Sequence, residues 1–419
     1  LALTKEHSIE LAVFVDPASA LVDSTLIEAG IEQALALEDQ PIVFSPATPG
    51  ACAPVLRDSF IATLEKAAAH PGMILTYRPD RPILDPTGSS ACQRVSPRVS
   101  RTKFNLLAES ERTIKRLERL FSSGDLDTID AESAIDRLEL NSEIDDFPRD
   151  VTLELNTDRL SAPIDQPTNI QRDPITLAQA ESLLSELGNV DDARLTLAGL
   201  GDPMLHPQFA EIVRLARKVG VRAICVETDL LTDESSIKQL VELGIDVVSI
   251  RIPATSKHVY QQMMGVDGFS TMLNNVRTLV TQRGARGSML PLAVPVFVKT
   301  RENFHEMELW YDQWITALGS AHIRGPSDFG GLIDDISVAD MRPSCRSNCS
   351  RLSKRISVLC DGRIVPCEED VLGRQAIGTI GQTTLASAWK SMNGLRTEHR
   401  EGSVTHLPVC GPCKQWHRP

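Results

Sequence analysis

RLTLAGLGDPMLHPQFAEIVRLARKV, from Arg194 to Val219, is the stretch that decides the fold. Arg194 to Ala198 reads as a short apolar strand, a glycine-rich turn follows, and Pro207 to Val219 carries helical periodicity. The same pairing recurs on both sides. Upstream, Val151 to Leu155 is a strand and Thr176 to Leu187 a helix. Downstream, Arg222 to Glu227 pairs with Asp233 to Leu243, Val247 to Ile252 with Phe269 to Gln282, and Ala293 to Val298 with Phe304 to Leu318. Ala321 to Arg324 makes a sixth strand. Units of this length suit right-handed βαβ crossovers. Continuous apolar runs such as Ala223 to Val226 predict a parallel sheet covered on both faces. Six units predict a partial (β/α)6 barrel, two short of a closed one.

The end of the chain carries the most chemistry. Cys349, Cys367, Cys410 and Cys413 are separated by seventeen, forty-two and two residues. Val358 to Cys367 reads as a strand, an Asp361-Gly362 turn and a returning strand that ends on a thiol. A C-x-x-C turn places two sulfurs on one centre, and two single cysteines complete four-thiolate ligation of one [4Fe-4S] cluster. A Cys₄ zinc site uses the same ligands, although zinc ribbons usually present two C-x-x-C knuckles. Buried inert thiols are the third reading. Cys345 competes with Cys349 for the first ligand position, and Cys360 reads as packing beneath the turn. No cysteine lies between Cys92 and Cys225, so the middle of the chain has no cluster motif of its own.

The 419 residues predict two or three domains with ample core. Hydrophobic content of 42% and charged content of 24% are ordinary for a globular protein. No stretch approaches eighteen apolar residues, which argues against a membrane span. A net charge of −13 argues against nucleic acid as a partner. The chain begins at Leu1 without an initiator Met or a secretory signal and reads as a piece of something longer. Nine cysteines without disulfide density suit a reducing cytoplasm.

Residues 1–108 alternate strand-like runs (Leu11 to Val15, Ile42 to Phe44, Met73 to Tyr77) with helices over Thr25 to Leu37 and Asp58 to Ala69, which predicts an N-terminal α/β domain. Residues 109–147 read as an acidic linker with a helix over Thr113 to Phe121. The partial barrel is expected at 148–330 and the iron–sulfur domain at 331–419.

Residues 148 to 419 resemble a radical S-adenosylmethionine protein with a C-terminal SPASM or twitch module. The glycine segment Gly199 to Pro207 is similar to that family's Gly-Gly-Glu-Pro-Leu. Val226 to Leu231 stands where the family carries Thr-Asn-Gly, and Val248 to Arg251 where it carries Ser-Ile-Asp. Tyr260 to Leu279 also fits. Cys349, the Asp361-Gly362 turn before Cys367, Gly378 to Ile380, Trp389, Leu395-Arg396 and the final C-x-x-C carry the module, in its shorter, single-cluster twitch form. The resemblance implies a site for S-adenosylmethionine, here degenerate, at Gly199, Gly201, Asp202, Glu227, Thr228 and Ser249. It also implies a C-x-x-x-C-x-x-C loop after the first barrel strand, and Glu154 to Ile164 contains no thiol. Binding of S-adenosylmethionine is therefore doubtful and its reductive cleavage is not expected.

Val13 to Pro17 and Leu21 to Ile27 resemble the metal-binding stretch of nucleotide-sugar cytidylyltransferase-like proteins. That resemblance implies a divalent cation at Asp16, with Asp23 as a second carboxylate, whereas the plain reading of Asp16 is a strand-end turn residue. The combination resembles spiro-SPASM proteins. The expected function is an iron–sulfur protein on a radical-SAM-like scaffold, acting on a small molecule or protein that the sequence does not identify. The alternatives are a nucleotidyltransferase-related enzyme whose nucleotide loop lies upstream, or an active radical enzyme with non-cysteine ligands. His206 reads as structural, Glu154 and Glu227 as strand-end groups, and Trp389 and Trp416 as packing over the cluster. Arg342, Arg346, Arg351, Lys354 and Arg355 read as a solvated basic face or as balancing cluster charge.

Overall fold

The computed structural model describes residues 6–67, 86–122, 129–140 and 145–418. The chain divides into two compact units, 1–143 and 144–419.

The second unit is organised by one nine-stranded sheet. Its centre is six parallel strands in chain order: β4 (Asp150–Leu153), β5 (Arg194–Leu197), β6 (Ala223–Thr228), β7 (Val247–Arg251), β8 (Leu292–Val298) and β9 (His322–Arg324). Helices Leu177–Leu187, Phe209–Lys218, Glu234–Glu242, Phe269–Ala285 and Met307–Leu318 make the crossovers. Thr176 starts the first of them with a reciprocal capping box to Gln179. A further helix, Lys257–Met264, follows β7.

The register explains what holds this sheet. Val151, Leu195 and Ile224 lie side by side, as do Leu153, Leu197 and Val226. All six are at most 1% exposed and join the helices in one core. The alternate positions, Thr152, Thr196, Cys225, Glu227 and Ser249, are only partly buried. The expectation of a sheet covered on both faces therefore fails for the inner face. Six strands do not curl far enough to close, so no layers of inward side chains fill that side, as they do in an eight-stranded barrel.

The break expected at residue 330 is not a break in the sheet. Strand β10 (Arg355–Val358) pairs in parallel with β4, and β11 (Arg363–Val365) and β12 (Gly378–Thr379) extend the sheet antiparallel beyond it. The thiol-bearing module is thus hydrogen-bonded to the first barrel strand.

The first unit holds a small antiparallel sheet in the order β1 (Leu11–Val13), β3 (Val55–Arg57), β2 (Ile42–Val43). The sequence reading had no β3, whose three residues fall between Pro54 and the helix Asp58–Ala67. The strand expected at 73–77 lies outside the described residues. The acidic linker is corrected. Helices Glu111–Ser122 and Ala131–Leu140 place Leu117, Leu120, Ala131, Ala134, Ile135 and Leu138 in this unit's core. The first of these was expected over Thr113 to Phe121; charge on the outer face had disguised the second.

Candidate iron–sulfur site and barrel mouth

Three arms of the second unit carry the candidate ligands. Cys349 precedes the 3-10 turn Ser350–Ser353. Cys367 follows β11, whose hairpin turn has Gly362 at φ +88°, a conformation that favours glycine. Cys410 and Cys413 lie in a turn closed by the Gly411 N–H to the Leu407 carbonyl (2.9 Å) and the Cys413 N–H to the Val409 carbonyl (3.1 Å). A Cβ at Gly411 would meet the carbonyls of Leu407 and Thr405 at 2.6 and 2.7 Å, so only glycine fits.

Each pair of arms is bridged by side chains other than cysteine. Arg346, three residues before Cys349, donates to the carbonyls of Cys410 (2.7 Å) and Gly411 (3.4 Å), and its guanidinium lies 5.9 Å from the Trp416 ring centre. Arg351 joins the first arm to the second through Glu369 (3.0 Å) and Glu368 (3.3 Å). Gln375 joins the second arm to the third by accepting from the backbone N–H of Val409 (2.7 Å) and Cys410 (2.9 Å). The basic set is therefore divided: Arg346, Arg351 and Arg355 are committed to these bridges and to Glu368, while Arg342 pairs with exposed Asp340 and Lys354 is exposed.

The thiols act on one another. Burial pushes Cys410 up to about 11, with Cys349 adding to the effect. Burial pushes Cys413 up to about 12, with contributions from Glu369, Cys349 and Cys410. Burial, Glu368 and Glu369 hold Cys367 well above an ordinary thiol, and Cys410 adds to this. On the first arm Cys349 is half-buried, whereas Cys345 is exposed. Cys360 sits elsewhere, with its thiol beside Glu154 and Arg172. Thiols this far raised ionise near neutrality only when a strong positive charge joins them, which a metal centre supplies. Among the described residues no three His, Cys, Asp or Glu side chains converge closely enough to hold a single ion. Trp389 is placed differently from expectation: its indole donates to the Asp145 carbonyl (2.6 Å) beneath the Arg396 guanidinium.

At the mouth of the barrel the structure brings Gly199, Gly201, Asp202 and Thr228 together. A Cβ on Gly199 would lie 2.5 Å from Glu154 Cγ, and one on Gly201 would collide with Asn156. Asp202 accepts from the N–H of Met204 (3.0 Å) and of Asp229 (3.0 Å) and from the Thr228 hydroxyl (2.7 Å). Burial, and then Asp229, hold its carboxyl above the usual range. Glu227 and Ser249 are neighbours in register on the open inner face, and Glu227 lies 3.8 Å from Arg324. His206 is structural: one ring nitrogen meets the Ile175 carbonyl (2.9 Å) and the other accepts the Gln208 N–H (3.1 Å).

Sequence reasoning missed what fills this mouth. Arg159, in the thiol-free loop, donates to the Leu200 carbonyl (2.9 Å), the Gly201 carbonyl (3.3 Å) and Asp229 (2.7 Å). Ser161 also donates to Asp229, and Arg251 binds Asp165 through both carboxylate oxygens (2.7 Å each). Glu154 accepts from the N–H of Leu200 (3.0 Å) and Cys360 (3.2 Å) and pairs with Arg172 at 2.5 Å. The only hint in the sequence is isolated charges in otherwise neutral loops.

In the first unit, Asp16 accepts the Ala18 N–H (2.8 Å), as a turn residue does. Asp23 is not available to a cation. It caps helix Ser24–Ala36 through Thr25 and Leu26, and its second oxygen accepts the Ala131 N–H (2.9 Å).

Residues 349–414 match SPASM, an iron–sulfur cluster-binding domain. An uncharacterized protein of Treponema pallidum is 27% identical over 238 residues, 54% of this chain and 65% of that protein. The tungsten-containing aldehyde ferredoxin oxidoreductase cofactor-modifying protein of Pyrococcus furiosus is 33% identical over 113 residues, 26% of this chain and 31% of that one. The matches thus span less than two thirds of either relative's length. The crystal structure of Streptococcus suis SuiB bound to precursor peptide SuiA shares the fold, with TM-score 0.51 and 12% identity over 72% of this chain and 81% of that one. Among the described residues no helix is long and apolar enough to cross a membrane. The end of the chain thus matches a SPASM iron–sulfur cluster-binding domain, and the chain shares the fold of SuiB.

Proposed function

We propose that this protein holds one [4Fe-4S] cluster on Cys349, Cys367, Cys410 and Cys413 and that its barrel does not cleave S-adenosylmethionine. The observation that carries the reading is the tying together of three sequence-distant cysteine-bearing arms by Arg346, Arg351 and Gln375. Tetrahedral zinc needs its sulfurs roughly 3.8 Å apart, from a Zn–S length of about 2.3 Å. A four-iron cluster takes one thiolate at each of four corners, which spaces its sulfurs more widely than a single zinc ion does. When bound, such a cluster supplies a one-electron redox centre. The chain's own part is to orient the thiolates through Arg346, Arg351 and Gln375, and to limit water with Trp416.

The barrel keeps the family's glycine segment but turns it inward. Arg159 occupies the carbonyls of Leu200 and Gly201, and the loop from Asn156 to Ile164 offers no thiol for a second cluster. The half-open inner face with Glu227, Ser249 and Arg324 is the surface on which an unidentified small molecule or protein substrate would rest. The cytidylyltransferase reading has no comparable support, because Asp23 is committed to helix capping.

Metal analysis of anaerobically purified protein tests the proposal. About four irons and four sulfides per chain are expected. Cys367→Ala and Cys410→Ala lower iron content sharply, while Cys360→Ala and Cys345→Ala retain it. Stoichiometric zinc without sulfide overturns the cluster assignment. Incubation with dithionite and S-adenosylmethionine yields no 5′-deoxyadenosine above background, and multiple turnovers overturn the second half of the reading.

A further inference from the structure

We infer that Gln375 is a positioning residue that also sets the reduction potential of the cluster, by donating an N–H to the sulfur of Cys410. The inference rests on the iron–sulfur assignment above. Its starting point is the amide's orientation. Gln375 Oε1 accepts two backbone N–H groups, from Val409 at 2.7 Å and Cys410 at 2.9 Å. Only the carbonyl end of an amide can do this, so the NH₂ end is fixed by exclusion. It lies 3.7 Å from Cys410 Sγ.

The residue is itself held in place. Asp370, 2% exposed, accepts the backbone N–H of Gln375 (2.7 Å) and of Arg374 (2.8 Å). Asp370 stands three residues after Cys367, so the tether runs from one ligand's arm to the next through a single glutamine. Two roles follow from the one side chain. The oxygen shapes the C-x-x-C turn by satisfying two N–H groups that would otherwise face inward unpaired. The nitrogen places positive hydrogen against a ligand sulfur. Reduction adds negative charge to the cluster and its thiolates, so a donor there favours the reduced form and raises the potential.

Substitution separates the roles. Gln375→Glu keeps an acceptor for both backbone N–H groups and replaces the donor by an anionic oxygen. Gln375→Leu removes both functions. The measurements are iron per chain, midpoint potential by dithionite titration at pH 8, where the new carboxylate is ionised, and the electron paramagnetic resonance of the reduced protein. Gln375→Glu is expected to retain wild-type iron, with a midpoint shifted to more negative potential and an altered reduced-state spectrum. Gln375→Leu is expected to lose iron faster than wild type to a chelator. A wild-type midpoint in Gln375→Glu overturns the inference, as does loss of its cluster. Absence of iron and sulfide from the wild-type protein overturns the iron–sulfur assignment itself, a result distinct from both.

Discussion

Arg159→Ala removes the guanidinium that fills the barrel mouth, and the cost can be worked from its contacts. The Arg159 side chain is 10% exposed and that of Asp229 is 2% exposed, so this is a buried pair. Removing one partner of such a pair typically costs about 3–5 kcal/mol, because the other charge is left without its counterion. Asp229 is not wholly abandoned here. Ser161 still donates to it, and Arg251 Nε lies 3.7 Å away. The carbonyls of Leu200 and Gly201 lose donors, but water can replace these at an open mouth. The lower end of the range therefore applies, about 3 kcal/mol. At about 2–4 °C per kcal/mol for a unit of this size, the melting temperature should fall by about 6–12 °C. Urea unfolding and calorimetry of the full chain measure both quantities. A double-mutant cycle with Asp229→Asn isolates the pair, and the coupling should be at the upper end of the roughly 0.5–3 kcal/mol found for contacting residues. A loss below about 1 kcal/mol with negligible coupling would mean that Arg159 is solvated, and the argument that the chain occupies its own mouth would collapse.

Two further predictions concern stability. Gly201→Ala drives a Cβ into Asn156 and should cost about 2–3 kcal/mol by urea unfolding, whereas Gly394→Ala, with no heavy atom within 4 Å of its new methyl, should be neutral or stabilising by up to about 1 kcal/mol. Equal effects at the two sites would refute the close-approach argument. Burial, with Arg346 alongside, brings His399 down to about 4. Between that value and the unfolded one near 6.5 the unfolded chain binds the extra proton, so stability rises with pH through this window and is lost on acidification. The imidazole's share is about 3 kcal/mol. His399→Leu should flatten the slope of unfolding free energy between pH 4.5 and 6.5, and an unchanged slope would show that the ring is not the titrating group.

The parallel core was legible because its strands are short apolar runs at regular spacing, a local signal. Strand β6 shows its limit: Ala223 to Thr228 looks uniformly apolar at its start, yet alternates between buried and half-buried positions. Whether the second face is covered depends on how many strands curl together, which no single strand encodes. The four cysteines could be chosen by spacing, but that Cys349 is half-buried and Cys345 exposed depends on where the first arm folds. Arg159 and Gln375 were invisible for the same reason: their partners lie dozens of residues away, and a lone charged or amide residue carries no periodicity. Helix Ala131–Leu140 was missed because acidic composition outweighed a legible apolar stripe at Ala131, Ala134, Ile135 and Leu138.

The parallel pairing of β4 with β10 has a consequence for synthesis. During translation β4 emerges early and finds β5 soon afterwards, but its other neighbour is about 200 residues further on. At roughly 5–20 residues per second the ribosome takes about 10–40 s to deliver it. Through that interval one side of β4 presents unpaired backbone groups, and Glu154 lacks the Cys360 N–H that it will later accept. The first strand of the barrel to be made is therefore among the last to be sealed. A nascent chain stalled between β9 and β10 would expose a strand edge that chaperones, or other nascent chains, can capture.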